Sequence, residues 1–357
     1  MAGVSDTAPV LPPPATTTST PSVRRRVLRA AIWLVVAVFA WVALDRLIGR
    51  IDWTAVGNAL GRVEPWMALP LLAMLLVRQV LNAVPLVYYV PGLSWGRSVQ
   101  NDLAANVVAT FAPPPGDIVL RIAMFRSWGL DPVRGMTGVT LNSFKFYAVR
   151  FLVPGLGLLL LTGYELSQRQ YVLALASLLV AAAILGMLVA ILSSQSLARR
   201  AGYWAGRLLR TFRRSTDPDA IGDRAVELRH QAADSLRRGL APSLVALVGM
   251  TLADATILLL ALRSVGVGPD TLPVTEILGM VLLTYPLTTL PLFGFGVIEA
   301  ILIAAWTLTA GVLVEPSLVA ATIVWRIVTI LGTLAIGAVV LVVWRVRARS
   351  GFGASVS

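Results

Sequence analysis

The chain has 357 residues, 57% hydrophobic and 13% charged, with a mean hydropathy of +0.79 and a formal net charge of +12. Soluble domains carry about 25% charged residues, so this composition describes a polytopic membrane protein. The absence of cysteine excludes disulfides, thiol nucleophiles and cysteine metal ligands, and the one histidine, His230, cannot build a metal cluster alone; neither a metal site nor a cofactor is expected.

Residues 1–22 are rich in Pro, Thr and Ser and too poor in large apolar groups to offset the entropy of ordering, so they read as a disordered N-terminal tail. Arg24, Arg25, Arg26 and Arg29 then flank an apolar segment from about Leu28 to Ile48, too long for a signal-peptide core and read as a first transmembrane helix. Further segments able to cross ~30 Å of hydrocarbon lie near 65–90, 136–162, 170–193, 240–264 and 316–344. Two other apolar regions are interrupted: 98–128 at Pro113, Pro114, Pro115 and Gly116, and 274–313 at Pro291, Gly294 and Gly296. Each reads as a helix, break, helix unit, with Gly116 and Gly296 expected at tight turns. Freed backbone at membrane depth is tolerated only inside protein or against a watery cavity, so the two breaks are the first places to look for function.

The fold class expected is therefore an all-α polytopic membrane protein with six to eight transmembrane helices, two of its units broken by Pro and Gly and open to a re-entrant reading. A transmembrane domain spans 23–348, with a basic loop at 194–239 that holds ten arginines and a C-terminal tail at 349–357. Basic residues before the first span, in that loop and at Arg345, Arg347 and Arg349 place the N-terminus, the loop and the C-terminus in the cytoplasm. The positive charge is this signature together with attraction to anionic lipid, not a nucleic-acid footprint. Within the loop, Tyr203, Leu208 and Phe212 fall on one side of a helix among arginines, which leaves open a helix on the inner leaflet or a solvated connector.

Ten ionisable residues fall within or at the mouths of the apolar segments: Arg78, Asp102, Asp117, Arg121, Lys145, Arg150, Asp254, Glu276, Glu299 and Arg326. A charge at the bilayer centre costs roughly 2.5–3.5 kcal/mol on insertion scales, so each is expected to face a partner or a wet cavity. Arg78 and Asp254, far from either break, read as structural pairing. The broken units also resemble each other. Gly116 is followed by Asp117 and, 29 positions on, by Lys145; Gly296 is followed by Glu299 and, 30 positions on, by Arg326. The two following helices run in opposite directions in the expected topology, which is the pattern of an inverted repeat with a midplane site. Lys145, Arg326, Asp117 and Glu299 are then expected to converge on one polar cavity.

The paired stretches PPPGDIVLRIAMFRSWGLDP and LPLFGFGVIEAILIAAW, the second followed by Arg326, resemble the lysylphosphatidylglycerol synthase transmembrane region family of flippase-like membrane proteins. The resemblance covers about residues 28–344. Here the first arginine lies five positions after its glycine, and Lys145 stands where an arginine is commoner in the family. The resemblance implies movement of charged lipids between leaflets. Two-part members of the family add a soluble aminoacyl-transferase domain, and this chain has nothing of that size, so the synthase activity is not carried over and the chain is not expected to be an enzyme.

The residues themselves point the same way. Arg121, Lys145, Arg150 and Arg326 suit a phosphate-bearing headgroup, of a lipid or a polyprenyl phosphate, because arginine binds phosphate bidentately. Asp117 and Glu299 would neutralise them in an empty groove. The alternative is a non-transporting scaffold that partners an envelope-lipid enzyme and whose internal charges only lock the fold. Lys145 is the single lysine among 30 basic residues. Lysine can give up its proton where arginine cannot, which suits a protonation-coupled step in which Lys145→Arg keeps binding; the other reading is a lysine snorkelling toward the cytoplasmic end.

Overall fold

The computed structural model describes residues 52–112, 115–164, 168–212, 217–290 and 296–353, all helical or in the turns between helices. The N-terminal tail, the first span, and Pro113, Pro114, Pro291 and Gly294 of the breaks lie outside those residues.

A short helix α1 (Trp53–Leu60) comes first, begun where the Asp52 carboxylate accepts the Thr54 and Ala55 amides at 3.0 Å. α2 (Ala68–Tyr89) follows a 3₁₀ turn at Pro65–Met67. The first broken unit is α3 (Trp95–Phe111) and α4 (Gly116–Ser127). α5 (Pro132–Leu160) is capped by Asp131 with proline in its first turn, where the missing N–H costs nothing. α6 (Gln168–Ser193), α7 (Gln195–Phe212) and α8 (Pro218–Ser264) complete the middle of the chain. The second broken unit is α9 (Val274–Thr284), which continues as a 3₁₀ turn at Tyr285–Thr289, and α10 (Val297–Ala310). α11 (Glu315–Arg326), a π-helical turn at Ile327–Gly332 and α12 (Thr333–Gly353) form the last long element.

Five of the expected spans are present as helices long and apolar enough to cross a membrane: Pro65–Tyr89, Pro132–Leu160, Gln170–Ser193, Ala232–Ser264 and Val312–Ala348. Two stretches differ from the sequence reading. The stretch 194–239 is not an irregular loop: apart from 213–216, which lie outside the described residues, it forms α7 and the first turns of α8. Its arginines hide a small-residue stripe, Ala198, Gly202 and Gly206, that packs α7 against α8; a Cβ on Gly206 would sit 2.6 Å from Pro218 Cα. Tyr203 and Trp204 face outward, while the Leu208 and Phe212 side chains lie outside the described residues. The last helix, finally, runs into the expected tail as far as Gly353.

The helices pack in matched pairs. α2 and α8 form the central contact, α5 lies along α9, and α12 lies along α3. The two outer crossings are alike in chemistry, each being as close as a glycine permits. A Cβ at Gly157 of α5 would stand 2.8 Å from the Gly279 carbonyl oxygen and 2.9 Å from the Leu283 nitrogen. One at Gly337 of α12 would stand 2.7 Å from the Leu103 carbonyl oxygen. Backbone cannot step aside as a side chain can. Gly157→Val and Gly337→Val are therefore each expected to cost ~1–3 kcal/mol and lower the thermal midpoint of the purified protein. Gly186→Val, where a Cβ meets nothing within 4 Å, should leave the midpoint unchanged.

Candidate functional site

Gly296 precedes α10 with φ +85°, a left-handed conformation that favours glycine, so the expected turn is present. The turn aims the Gly296 amide at Glu299, three residues on, whose Oε2 accepts it at 2.8 Å. The other carboxylate oxygen, Oε1, accepts the Nε–H of Arg326. Both side chains of the pair are about nine-tenths buried, at 12% and 10% exposed, and the guanidinium also lies 4.3 Å from the centre of the Trp325 ring. Arg326 is the last α-helical residue before the π turn, a local widening that recurs at functional sites in helices. Glu299 thus holds two donors from two elements, and an anion reaching Arg326 would compete with it for the guanidinium.

At the first break the glycine acts differently. Gly116 opens α4 without a positive φ, and the preceding Pro115 carries the bend at φ −102°, ψ 43°. Gly116 instead admits a close approach: a Cβ there would lie 3.0 Å from that of Ala112. Asp117 sits in the first turn of α4, a favourable place for a carboxylate beside the helix dipole, and has no hydrogen-bond or ion-pair partner among the described residues. Arg121, one turn on, reaches back to α3 rather than to Asp117. Its Nη1 donates to Asn101 Oδ1 at 2.5 Å and its Nη2 lies 3.4 Å from Asp102 Oδ1. The remaining oxygen of Asp102 accepts from Asn82 Nδ2 of α2 at 2.5 Å.

Between the breaks, Arg78 of α2 and Asp254 of α8 pair at 2.9 Å across the central contact. Arg150 of α5 reaches the second unit, donating from Nη1 to the Thr288 carbonyl at 3.2 Å and stacking 4.1 Å from the Phe146 ring. The Tyr285 hydroxyl donates to Met250 Sδ of α8 at 3.6 Å, and its ring lies 6.0 Å from the Arg150 guanidinium. Among the described residues no group of three or more His, Asp or Glu is placed to hold a metal ion.

Lys145 stands apart. Its residue exposure is 0%, and its Nζ sits 3.1 Å over the centre of the Tyr89 ring with no hydrogen-bond partner among the described residues. Tyr89 is itself fixed by its hydroxyl, which meets the Gly239 carbonyl at 2.8 Å and Ser243 Oγ at 2.5 Å, both on α8. The lysine therefore does not snorkel to an interface. No contact joins it to Asp117, Glu299 or Arg326, so of the four residues expected to converge only Glu299 and Arg326 meet. The side chains that sequence reasoning left out of the site are Asn82, Asn101, Asp102 and Tyr89. Asp102 was visible as a charge in an apolar stretch, but nothing in the sequence says which arginine faces it.

The family described as Lysylphosphatidylglycerol synthase TM region matches residues 27–337, both breaks and all the pairs above included. No curated protein and no solved structure matches the chain.

Proposed function

The chain belongs to the lysylphosphatidylglycerol synthase TM region family, and we propose that it is a translocase that moves a lipid with an anionic headgroup, or a polyprenyl-phosphate-linked lipid, between the leaflets of the cell membrane. The observation that carries this reading is the Glu299–Arg326 pair. A buried ion pair is no more stable than well-packed apolar residues, so its presence at a helix break calls for a reason other than stability, and an exchangeable phosphate site is one. Arg121, Arg150 and Asp117 contribute to the same headgroup path, and Lys145 joins it only in a conformation that lifts α5 from Tyr89.

The architecture behind this proposal is an inverted repeat in which two re-entrant units stand beside the five apolar spans of the described residues. At ~1.5 Å per residue, α3, α4, α9 with its 3₁₀ turn, and α10 each fall short of ~30 Å of hydrocarbon. The matched packing of α5 on α9 and α12 on α3 supports the repeat. So does a common offset of 180 positions, from 116 to 296 and from 157 to 337, between glycines in equivalent places.

The positive-inside rule places α7 and the start of α8 in the cytoplasm. Ala220, exposed in the first turn of α8, provides the check in a chain without cysteine. In Ala220→Cys, an impermeant maleimide should label only permeabilised cells; labelling of intact cells would reverse the topology.

Reconstitution into liposomes with fluorescent phospholipids of anionic and zwitterionic headgroup tests the function itself. Protein-dependent movement of the anionic lipids is expected. Absence of movement for every lipid would favour a scaffold that partners an envelope-lipid enzyme.

A further inference from the structure

Of the carboxylate–arginine pairs among the described residues, three have largely buried side chains and join different elements: Asp102–Arg121 between α3 and α4, Arg78–Asp254 between α2 and α8, and Glu299–Arg326 between α10 and α11. They are not isolated from one another. Asn82, one turn on from Arg78 along α2, donates to Asp102, the carboxylate of the first-break pair, at 2.5 Å. On the other side Met250, one turn before Asp254 along α8, accepts at its sulfur from the hydroxyl of Tyr285, in the second broken unit, at 3.6 Å. The middle pair thus lies one helical turn from a contact to each broken unit. Bonds that served only to glue neighbouring helices would not need that continuity.

Two details favour exchange over permanent pairing. Each end carboxylate has a second donor that would keep it if its arginine turned to another anion: Asn82 Nδ2 holds Asp102, and the Gly296 amide holds Glu299. In the middle pair the Asp254 side chain is 7% exposed while that of Arg78 is 22% exposed, so the arginine is the more accessible partner. A phosphate could therefore engage Arg78 without first extracting Asp254 from the packed interior. Arginine suits each step, because its fork of donors serves a carboxylate and a phosphate with the same geometry.

We propose that these three pairs form one relay for a phosphate-bearing headgroup, with Arg78 as the obligatory station between the two breaks. The proposal rests on the anionic-lipid reading above and adds to it a residue outside both break motifs. At each station the headgroup phosphate takes over the guanidinium from its carboxylate, and the carboxylate takes it back when the phosphate moves on; no covalent bond is made or broken.

The test replaces the middle pair by apolar residues, Arg78→Leu with Asp254→Leu, in the full chain reconstituted with fluorescent phosphatidylglycerol. Removing both partners avoids an uncompensated buried charge, so the double variant should keep a thermal midpoint at or above that of the unaltered protein. The relay predicts that its lipid flux falls at least tenfold, while Arg121 and Arg326 are intact. Flux at the unaltered rate in the folded double variant would overturn the relay and leave the translocase reading standing. Should the double variant not fold, Arg78→Lys keeps the charge pair and loses the bidentate fork; a clear fall in flux supports the relay and an unchanged flux overturns it. Absence of phosphatidylglycerol movement by the unaltered protein would sink the underlying reading and the relay with it. Liposomes loaded with glycerol 3-phosphate separate a lipid headgroup from the free anion: protein-dependent release of the free anion without lipid movement would overturn the assignment to lipid.

Discussion

Arg326→Ala is expected to bring lipid movement down to the protein-free rate and, at the same time, to lower stability. The second effect follows from Glu299, which keeps its place against the Gly296 amide but loses its cation in a site about nine-tenths buried. Breaking a buried pair from one side costs ~3–5 kcal/mol, because the remaining charge is uncompensated. Loss of transport in that variant alone would therefore prove little. The informative variant is the double one, Glu299→Gln with Arg326→Leu. Glutamine still accepts from Gly296 through its amide oxygen, no charge is stranded, and most of the lost stability should return. If the pair handles the headgroup, transport stays at background in this folded protein. A folded double variant that moves lipid at the unaltered rate would end the assignment of this pair to the substrate. Thermal midpoint and flux measured on the same preparations distinguish the two results.

How much of this could be read from the sequence depended on how local the cause was. The spans were legible because hydrocarbon imposes both length and composition on any helix that crosses it, and α2, α5, α6, α8 and α11–α12 lie close to where hydropathy put them. Gly296 and Glu299 were legible as a break and the acid that follows it; the contact between them, a carboxylate reaching back to the start of its own helix, is short-range geometry that only the structure brought out. Arg121 was placed in the site, but its partner was not, since the choice between Asp117 on its own helix and Asp102 on the neighbour turns on the rotation of α3 against α4. Arg78 and Asp254 were read as structural pairing, and they do pair. What sequence could not show is that the pair lies one turn from a contact to each broken unit, a consequence of α2 and α8 meeting at the centre. The α7–α8 hairpin was missed for a different reason: ten arginines dominate the composition of 194–239, while the contact is made by alanine and glycine, which carry no signal in hydropathy.

The single lysine has the largest predicted difference between two substitutions that look conservative. From sequence, Lys145→Arg should preserve binding, since both residues are cations. The packing reverses that expectation. Lys145 is 0% exposed, its Nζ already lies 3.1 Å over the Tyr89 ring, and Tyr89 cannot retreat while its hydroxyl is held by Gly239 and Ser243. The space beyond is closed from both sides: a Cβ on Gly239 would stand 2.6 Å from Tyr89 Cε1, and one on Gly138 would stand 3.2 Å from Tyr89 Cβ. A guanidinium is larger than an ammonium, needs several acceptors in its plane, and stays charged in any protein setting. With no carboxylate among the described residues in contact with this site, the arginine variant would bury an uncompensated charge, and the cost of ~3–5 kcal/mol for such a group should appear as lost yield and a lowered thermal midpoint. Lys145→Met has nearly the shape of the lysine stem, needs no acceptor, and exchanges the amine–ring contact for a sulfur–aromatic one of ~0.3–1.5 kcal/mol, so it should fold close to normally. If the methionine variant folds and moves lipid at the unaltered rate, Lys145 has no part in the headgroup path and serves packing between α2, α5 and α8. If it folds and is inactive, the path includes a conformation in which α5 frees the amine from Tyr89. An arginine variant as stable as the unaltered protein would mean that this interface opens far more readily than its packing allows.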